Sequence, residues 1–227
     1  MGETNNALPP HRHIRSFVKR DSRITKAQAK AIHNHLENYH FDSAPAQFKA
    51  LHETSLEIGA GDGECILALA KKAPATGHVA AEVYRAGLGH LLLELTSANL
   101  TNLLVIDQDI VDYLPKIANE SFDRIMVFFP DPWPKKRHHK RRLLQVDFLI
   151  ALARILKNSG VLFIATDIQD YAELIRDNVK ASNCWHNLAG GELWAPRPCF
   201  RVLTKFERKG LNEHRSVFEL ALAKKQS

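Results

Sequence analysis

The chain has 227 residues, 45% hydrophobic and 25% charged, with a formal charge of +6 at pH 7 and a pI near 9.3. That is enough for one sizeable core of ordinary globular composition. No apolar run approaches the ~18 residues of a membrane span, and the polar start from Met1 to Pro10 lacks the apolar centre of a secretion signal, so a cytoplasmic location is expected. Cys65, Cys184 and Cys199 share no metal-ligand spacing and, being odd in number, cannot all pair; no metal site is expected.

Residues 1–45 read as a basic N-terminal extension. Between His11 and Lys30 seven residues are Lys or Arg, against one acid, Asp21. The extension closes with a helix predicted from Thr25, its N-cap, to about Asn38, with Ala27, Ala31 and Leu36 on one face. Residues 46–227 form the predicted main domain. From Ser55 onward, short apolar runs ending at Ile58, Val83, Ile106, Phe129 and Thr166 alternate with helical patterns, which predicts a mostly parallel sheet covered by helices on both faces. Two β-prone runs, Phe200–Phe206 and Ser216–Leu222, predict a C-terminal antiparallel pair at the end of that sheet.

The first strand runs through Ser55-Leu-Glu-Ile-Gly-Ala-Gly-Asp-Gly-Glu64 into a helix from Cys65 to Lys72. Glycines at 59, 61 and 63 allow a tight turn and close approach of a ligand. The dinucleotide fingerprint places its third glycine where this chain has Glu64, and Glu57, Asp62 and Glu64 would repel a pyrophosphate. They suit a cation, such as the sulfonium and ammonium of S-adenosylmethionine. Glu82 ends the second strand, His78-Val-Ala-Ala-Glu82, where an acid can accept hydrogen bonds from both ribose hydroxyls. Asp109 follows the third strand, within reach of an adenine amino group. Gly59, Gly61, Glu57, Glu82 and Asp109 are therefore the predicted cofactor-binding residues, to which the resemblance described below adds Asp131.

A fourth strand ends in Phe129-Pro-Asp-Pro-Trp-Pro-Lys135, where flanking prolines stiffen the turn that carries Asp131. From Lys135 to Arg142 every residue is Lys, Arg or His. A fixed carboxylate beside so dense a cationic run points to a polyanionic substrate, with Lys140, Arg141 and Arg142 expected on phosphates.

Phe129-Pro-Asp-Pro-Trp-Pro-Lys135 followed by Lys140-Arg-Arg142 resembles the signature of the bacterial tRNA (guanine-N7)-methyltransferases. Ala165-Thr-Asp-Ile-Gln-Asp-Tyr171 and Thr204-Lys-Phe-Glu207 also resemble motifs of that family, as do Leu56-Glu-Ile-Gly59, Glu82-Val-Tyr-Arg85 and the basic segment Arg15-Ser-Phe-Val-Lys-Arg20. The resemblance runs in register from about Arg15 to Leu220. It implies a Rossmann-like class I methyltransferase fold, S-adenosylmethionine as co-substrate without a metal, and tRNA as partner, methylated at N7 of a guanine in its variable loop. By the same resemblance Lys135, Asp167, Thr204, Lys205, Phe206 and Glu207 contact the substrate guanosine, and the enzyme acts as a monomer or a homodimer. After Glu207 the chain departs from the family: Asn212 replaces a second arginine, a Gly-His pair reads His214-Arg215, and Glu219 stands where Asp is usual. The resemblance does not extend to that loop's tRNA contacts.

Guanine N7 carries a lone pair and no proton, so no general base is needed. The task is to align N7 with the methyl carbon and to stabilise the positive charge that reaches the imidazole ring; Asp131 is the predicted catalytic residue. Other readings of the sequence are a methyltransferase of another RNA or of a small molecule, and a non-catalytic RNA-binding protein on a methyltransferase scaffold.

Overall fold

The structure, a computed structural model, describes Phe17 and residues 24–225. Apart from Phe17, the segment Arg15 to Arg20 and the rest of residues 1–23 lie outside the described residues.

The first helix, α1 (Lys26–Tyr39), starts where the sequence predicts. Thr25 Oγ1 accepts from the Gln28 backbone N–H, and Gln28 Oε1 accepts from the Thr25 N–H, a reciprocal capping box. A short helix α2 (Ala46–Lys49) leads to β1 (Glu53–Ile58). Then follow α3 (Glu64–Lys72), β2 (Thr76–Ala81), α4 (Arg85–Ser97), β3 (Leu103–Ile106), α5 (Ile110–Tyr113) and β4 (Phe122–Phe128). After α6 (Val146–Ile155) come β5 (Leu156–Thr166), α7 (Gln169–Ser182), β6 (Trp185–Asn187), α8 (Lys205–Asn212) and β7 (Phe218–Lys224).

The seven strands form one sheet in the order β3-β2-β1-β4-β5-β7-β6. The first five are parallel; β7 runs antiparallel between β5 and β6. β1 to β4 carry Val, Ile, Leu, Met and Ala that are almost wholly buried, as a sheet covered on both faces requires. Two apolar clusters result. One packs α5, α6 and α7 on one face, around Leu56, Ile125, Leu149 and Ile164. The other packs α1, α3 and α4 on the opposite face, around Ile66, Leu91, Val105 and Met126. Helix α1 is held against α4: Gln28 Nε2 donates to the Ala86 carbonyl at 3.1 Å, and the missing side chain of Gly89 makes room for the Gln28 backbone. Among the described residues no helix is long and apolar enough to cross a membrane.

The antiparallel edge is present, but one of its members differs from the sequence-based expectation. β7 pairs with β6, not with residues 200–206, which form a loop that ends in α8. The cause is local. Thr204 caps α8, its hydroxyl accepting from the Glu207 N–H at 3.3 Å, and a capped helical turn cannot also supply a strand.

One buried polar pair sits inside the parallel sheet. Ser55 Oγ and His78 Nδ1, on neighbouring strands, share a hydrogen bond of 2.7 Å. Burial pushes the His78 imidazole down to about 4, so it is neutral in the fold and must charge on unfolding in mild acid. A histidine with a depressed folded value contributes stability present above its unfolded value, near 6.5, and lost as pH falls toward 4. Urea unfolding of His78→Gln should therefore show a smaller loss of stability between pH 6.5 and 4.5 than the parent shows.

Candidate active site

At the carboxyl ends of the parallel strands a cavity of about 750 Å³ opens between the turns leaving β1 and β4. This is where strand order reverses, since β2 and β3 lie on one side of β1 and β4 and β5 on the other, and open α/β sheets bind their ligands at such a point. The left-handed Gly59, Gly61 and Gly63 (φ +76°, +57° and +82°) carry the chain from β1 into α3. A side chain at Gly63 would meet Leu91 Cδ1 at 2.5 Å, so the turn is packed as well as bent.

Glu82 ties the turn down. Its Oε2 accepts from the Gly61 N–H and its Oε1 from the Tyr84 N–H, both at 2.6 Å. Burial raises its pKa, opposed by those two backbone donors. Glu57, at the end of β1, is 4% exposed. Burial pushes its carboxyl up to about 8, with the Glu82 charge adding to the effect, and its Oε2 has no hydrogen-bond partner among the described residues. Asp109 lies on the same wall and also caps α5, accepting from the Val111 N–H at 3.1 Å. Cys65 lines the cavity too; burial and the nearby Glu57 charge push its thiol up to about 12, which keeps it neutral and unreactive.

The opposite wall is the turn after β4. Phe129 and Trp133 both have left-handed backbones (φ +51° and +44°), and between them stand Pro130, Asp131 and Pro132. The Phe129 N–H still donates to the Ala165 carbonyl at 2.7 Å, but its left-handed backbone ends β4 at Phe128, one residue before the end expected from sequence. Prolines on either side of Asp131 and two residues with left-handed backbones leave this turn little freedom, and Asp131 faces the cavity from it.

The third wall comes from the end of β5 and from α8. Asp167 pairs with Arg215, which also meets Glu213 at 3.1 Å. Thr204, Lys205, Phe206 and Asp167 all line the cavity, and the Phe206 ring lies 5.4 Å from that of Phe129. Two predicted guanosine contacts are placed elsewhere. Lys135 is exposed, outside the cavity wall. Glu207 is 2% exposed; Arg201 holds it at 2.6 Å and Arg197 holds it as well, while Arg201 also pairs with Glu219.

The expectation that Arg142 meets phosphate is corrected: it is 2% exposed and turned inward, whereas Lys136, Arg137 and Lys140 remain exposed on a 3₁₀ segment (Lys136–Arg141). Sequence reasoning also missed Arg201 and Arg215, which line the cavity, and Gly87, which supports it. Only α8 left a signal, the Thr-x-x-Glu spacing of 204 and 207.

A seven-stranded sheet with one inserted antiparallel strand and an acidic, glycine-turned cavity at its carboxyl edge is the class I methyltransferase fold. Solved structures agree: the aminoglycoside resistance methyltransferase NpmB1 aligns with TM-score 0.57 at 21% identity, over 81% of this chain and 93% of that one. The 16S rRNA methyltransferase KamB aligns with TM-score 0.55 at 14% identity, over 92% of this chain and 97% of that one. Residues 52–220 match the family described as "Putative methyltransferase". The tRNA (guanine-N(7)-)-methyltransferase of Nitrosospira multiformis is 41% identical, over 96% of this chain and 97% of the relative. That of Nitrosococcus oceani is 41% identical over 97% and 94%. The chain belongs to this bacterial family of tRNA (guanine-N(7)-)-methyltransferases, and the family implies S-adenosylmethionine as methyl donor.

Gly87 yields a test of the glycine turn. A Cβ there would lie 2.6 Å from the Gly61 carbonyl oxygen. Alanine is ordinarily the better helix former by about 1 kcal/mol, but here it must push on the backbone that Glu82 holds. Gly87→Ala should weaken S-adenosylmethionine binding by at least about tenfold, or ~1.4 kcal/mol, within the range typical of overpacking. Calorimetric titration checks this.

Proposed function

We propose that this chain transfers a methyl group from S-adenosylmethionine to N7 of a guanine in tRNA, in the variable loop. One observation carries the proposal beyond family membership. A buried carboxyl, Glu57, with one oxygen unpartnered among the described residues, and a stiffly mounted carboxylate, Asp131, face one cavity, and an exposed cationic run follows Asp131 within a few residues of chain.

The residues fit the donor. Glu57 offers a buried carboxyl whose Oε2 has no hydrogen-bond partner among the described residues and which ionises when a cation binds, and this suits an ammonium or sulfonium. Glu82 spends one lone pair of each oxygen on the backbone and keeps others for two ribose hydroxyls. Asp109, Gly59 and Gly61 complete that side. When bound, the donor supplies an electrophilic methyl group on sulfur. Asp131 then faces a guanine ring that gains positive charge as the methyl arrives, and its carboxylate stabilises that charge. Asp167 accepts from the guanine N1–H and amino group, which adenine cannot match. Thr204, Lys205 and Phe206 bound the base, with the rings of Phe206 and Phe129 offering a stacking surface. Lys135, with its exposed cationic neighbours and the basic extension of residues 1–45, attracts the tRNA backbone, and the domain of 46–227 holds the chemistry. Glu207 acts at one remove, by fixing Arg201 in the cavity wall.

The raised Glu57 carboxyl predicts a pH dependence. In the free protein it keeps its proton from about 4.5 to about 8, so the stabilising effect of that proton is lost as pH rises through about 8. A bound cation favours the ionised form. Affinity for S-adenosylmethionine should therefore rise between pH 6 and 8, by up to about tenfold per unit, and Glu57→Gln should bind weakly with little pH dependence. Isothermal calorimetry at several pH values reads both.

The function itself is tested by methyl transfer to unmodified tRNA transcripts, followed by mapping of the modified nucleotide. Asp131→Asn preserves size and removes charge. Its interaction strengthens only as the reaction proceeds, so single-turnover rate should fall by roughly two to three orders of magnitude while affinities for tRNA and donor change little. A rate within a few-fold of the parent would reduce Asp131 to a turn residue.

A further inference from the structure

The basic run ends in a residue that faces the wrong way for a phosphate. Arg142 Nε donates to the Pro132 carbonyl at 2.8 Å. Its Nη2 pairs with Asp170 Oδ2 at 2.6 Å, and its Nη1 reaches the Asp170 carbonyl at 3.5 Å. The guanidinium lies over the Tyr171 ring, 4.7 Å from the centroid, and the Tyr171 hydroxyl accepts from the Leu144 N–H at 3.2 Å. Pro132 directly follows Asp131. Asp170 stands in the first turn of α7, three residues after Asp167. One buried fork therefore binds both turns that leave the adjacent parallel strands β4 and β5, and each turn carries one of the carboxylates assigned above to the guanine.

We infer that Arg142 is a positioning residue that fixes the separation of Asp131 and Asp167 and anchors the tRNA-facing run to them. The inference rests on the function proposed above. Only arginine suits the place. Its planar fork presents Nε to one turn and Nη2 to the other at once, and its face stacks on Tyr171; a lysine ammonium on a flexible stem reaches one partner at a time. The carbonyl of Arg142 also accepts from Gln145 Nε2 at 3.1 Å, which holds the start of α6 to the same knot. The 3₁₀ segment Lys136–Arg141 is thus tethered at its far end to the reaction site, and the neighbouring Arg141 packs over Trp133 at 4.9 Å.

The test compares Arg142→Lys, Arg142→Gln and Asp170→Asn with the parent and with Asp131→Asn, using full-length protein, S-adenosylmethionine and a tRNA transcript. Asp170 is 56% exposed at its side chain, so Asp170→Asn cuts one arm of the fork even if an Arg142 variant fails to fold. Single-turnover methyl transfer at saturation should slow by about 10- to 100-fold in both Arg142 variants, as expected for a misplacement on the order of 1 Å, and by a smaller factor in Asp170→Asn. tRNA affinity should stay within about threefold, and the slope of log affinity against log salt should not change in Arg142→Gln, whereas each lost phosphate contact removes about one unit. Hydrogen exchange should quicken in residues 129–133 and 167–172 and stay as in the parent across β1 to β3. Rates equal to the parent's in Arg142→Lys and Asp170→Asn overturn the inference. So does a salt slope lowered by about one unit in Arg142→Gln, which makes Arg142 a phosphate contact. Faster exchange spread over the whole sheet overturns it as well, leaving a general folding residue. Failure of the underlying function shows separately, as parent-like turnover in Asp131→Asn, while exchange at the two turns still reports whether Arg142 holds them.

Discussion

The carboxylate of Glu82 is the interaction on which the cavity depends. It accepts one backbone N–H from the glycine turn after β1 and another from its own turn after β2, so two strand exits share one anchor. Without it, three left-handed glycines would be a mobile loop, because glycine loses more freedom on ordering than any other residue. The cost is a buried negative charge beside Glu57. The sheet tolerates this because its backbone donors stabilise Glu82 while Glu57 holds its proton near neutrality. Two carboxyls buried in one wall favour a ligand of positive charge, so the wall selects for ligand sign.

The far side of the cavity is built by a different device, arginines that each hold carboxylates or carbonyls from two segments. Arg142 joins the turns after β4 and β5, Arg215 joins Asp167 to the end of α8, and Arg201 joins Glu207 of α8 to Glu219 of β7. Buried pairs of this kind add little net stability relative to apolar packing, yet breaking one partner is costly because the other charge is left stranded. They serve better as geometric locks than as a source of folding energy. Arg215 and Glu219 are both places where the chain departs from its family's usual residues, and the structure gives both a partner in these locks. The loop after Glu207 is therefore a wall of the cavity in addition to any part it has at the tRNA surface.

The cationic run illustrates how one stretch of like charge divides its work. Lys136, Arg137 and Lys140 point outward, Arg141 covers Trp133, and Arg142 turns into the protein. Eight consecutive basic or imidazole side chains repel one another, which resists a long helix, and only the short 3₁₀ segment Lys136–Arg141 forms there. Placing its last member beside Asp170 relieves part of that repulsion and ties the run to rigid structure.

By itself the sequence determined that the core is a mostly parallel sheet between helices, because apolar runs of strand length alternate with helical periods, and it marked the glycine turn, Glu57, Glu82, Asp109 and Asp131 through local chemistry that needs no partner to be read. Thr25 and the α1 cap were equally legible, since a capping box is contained within four residues. What only the tertiary structure decided are features made by distant segments. That the free edge of β7 pairs with β6 was decided between segments far apart in the chain, while the Thr204 cap turned residues 200–206 into a loop and a helix start. Gly87 matters because of the Gly61 carbonyl it faces across the turn. Glu207 belongs to Arg201, and Arg142 to Pro132 and Asp170, because the direction a long side chain takes is set by what the fold brings within reach of it, and residue spacing along the chain does not record that.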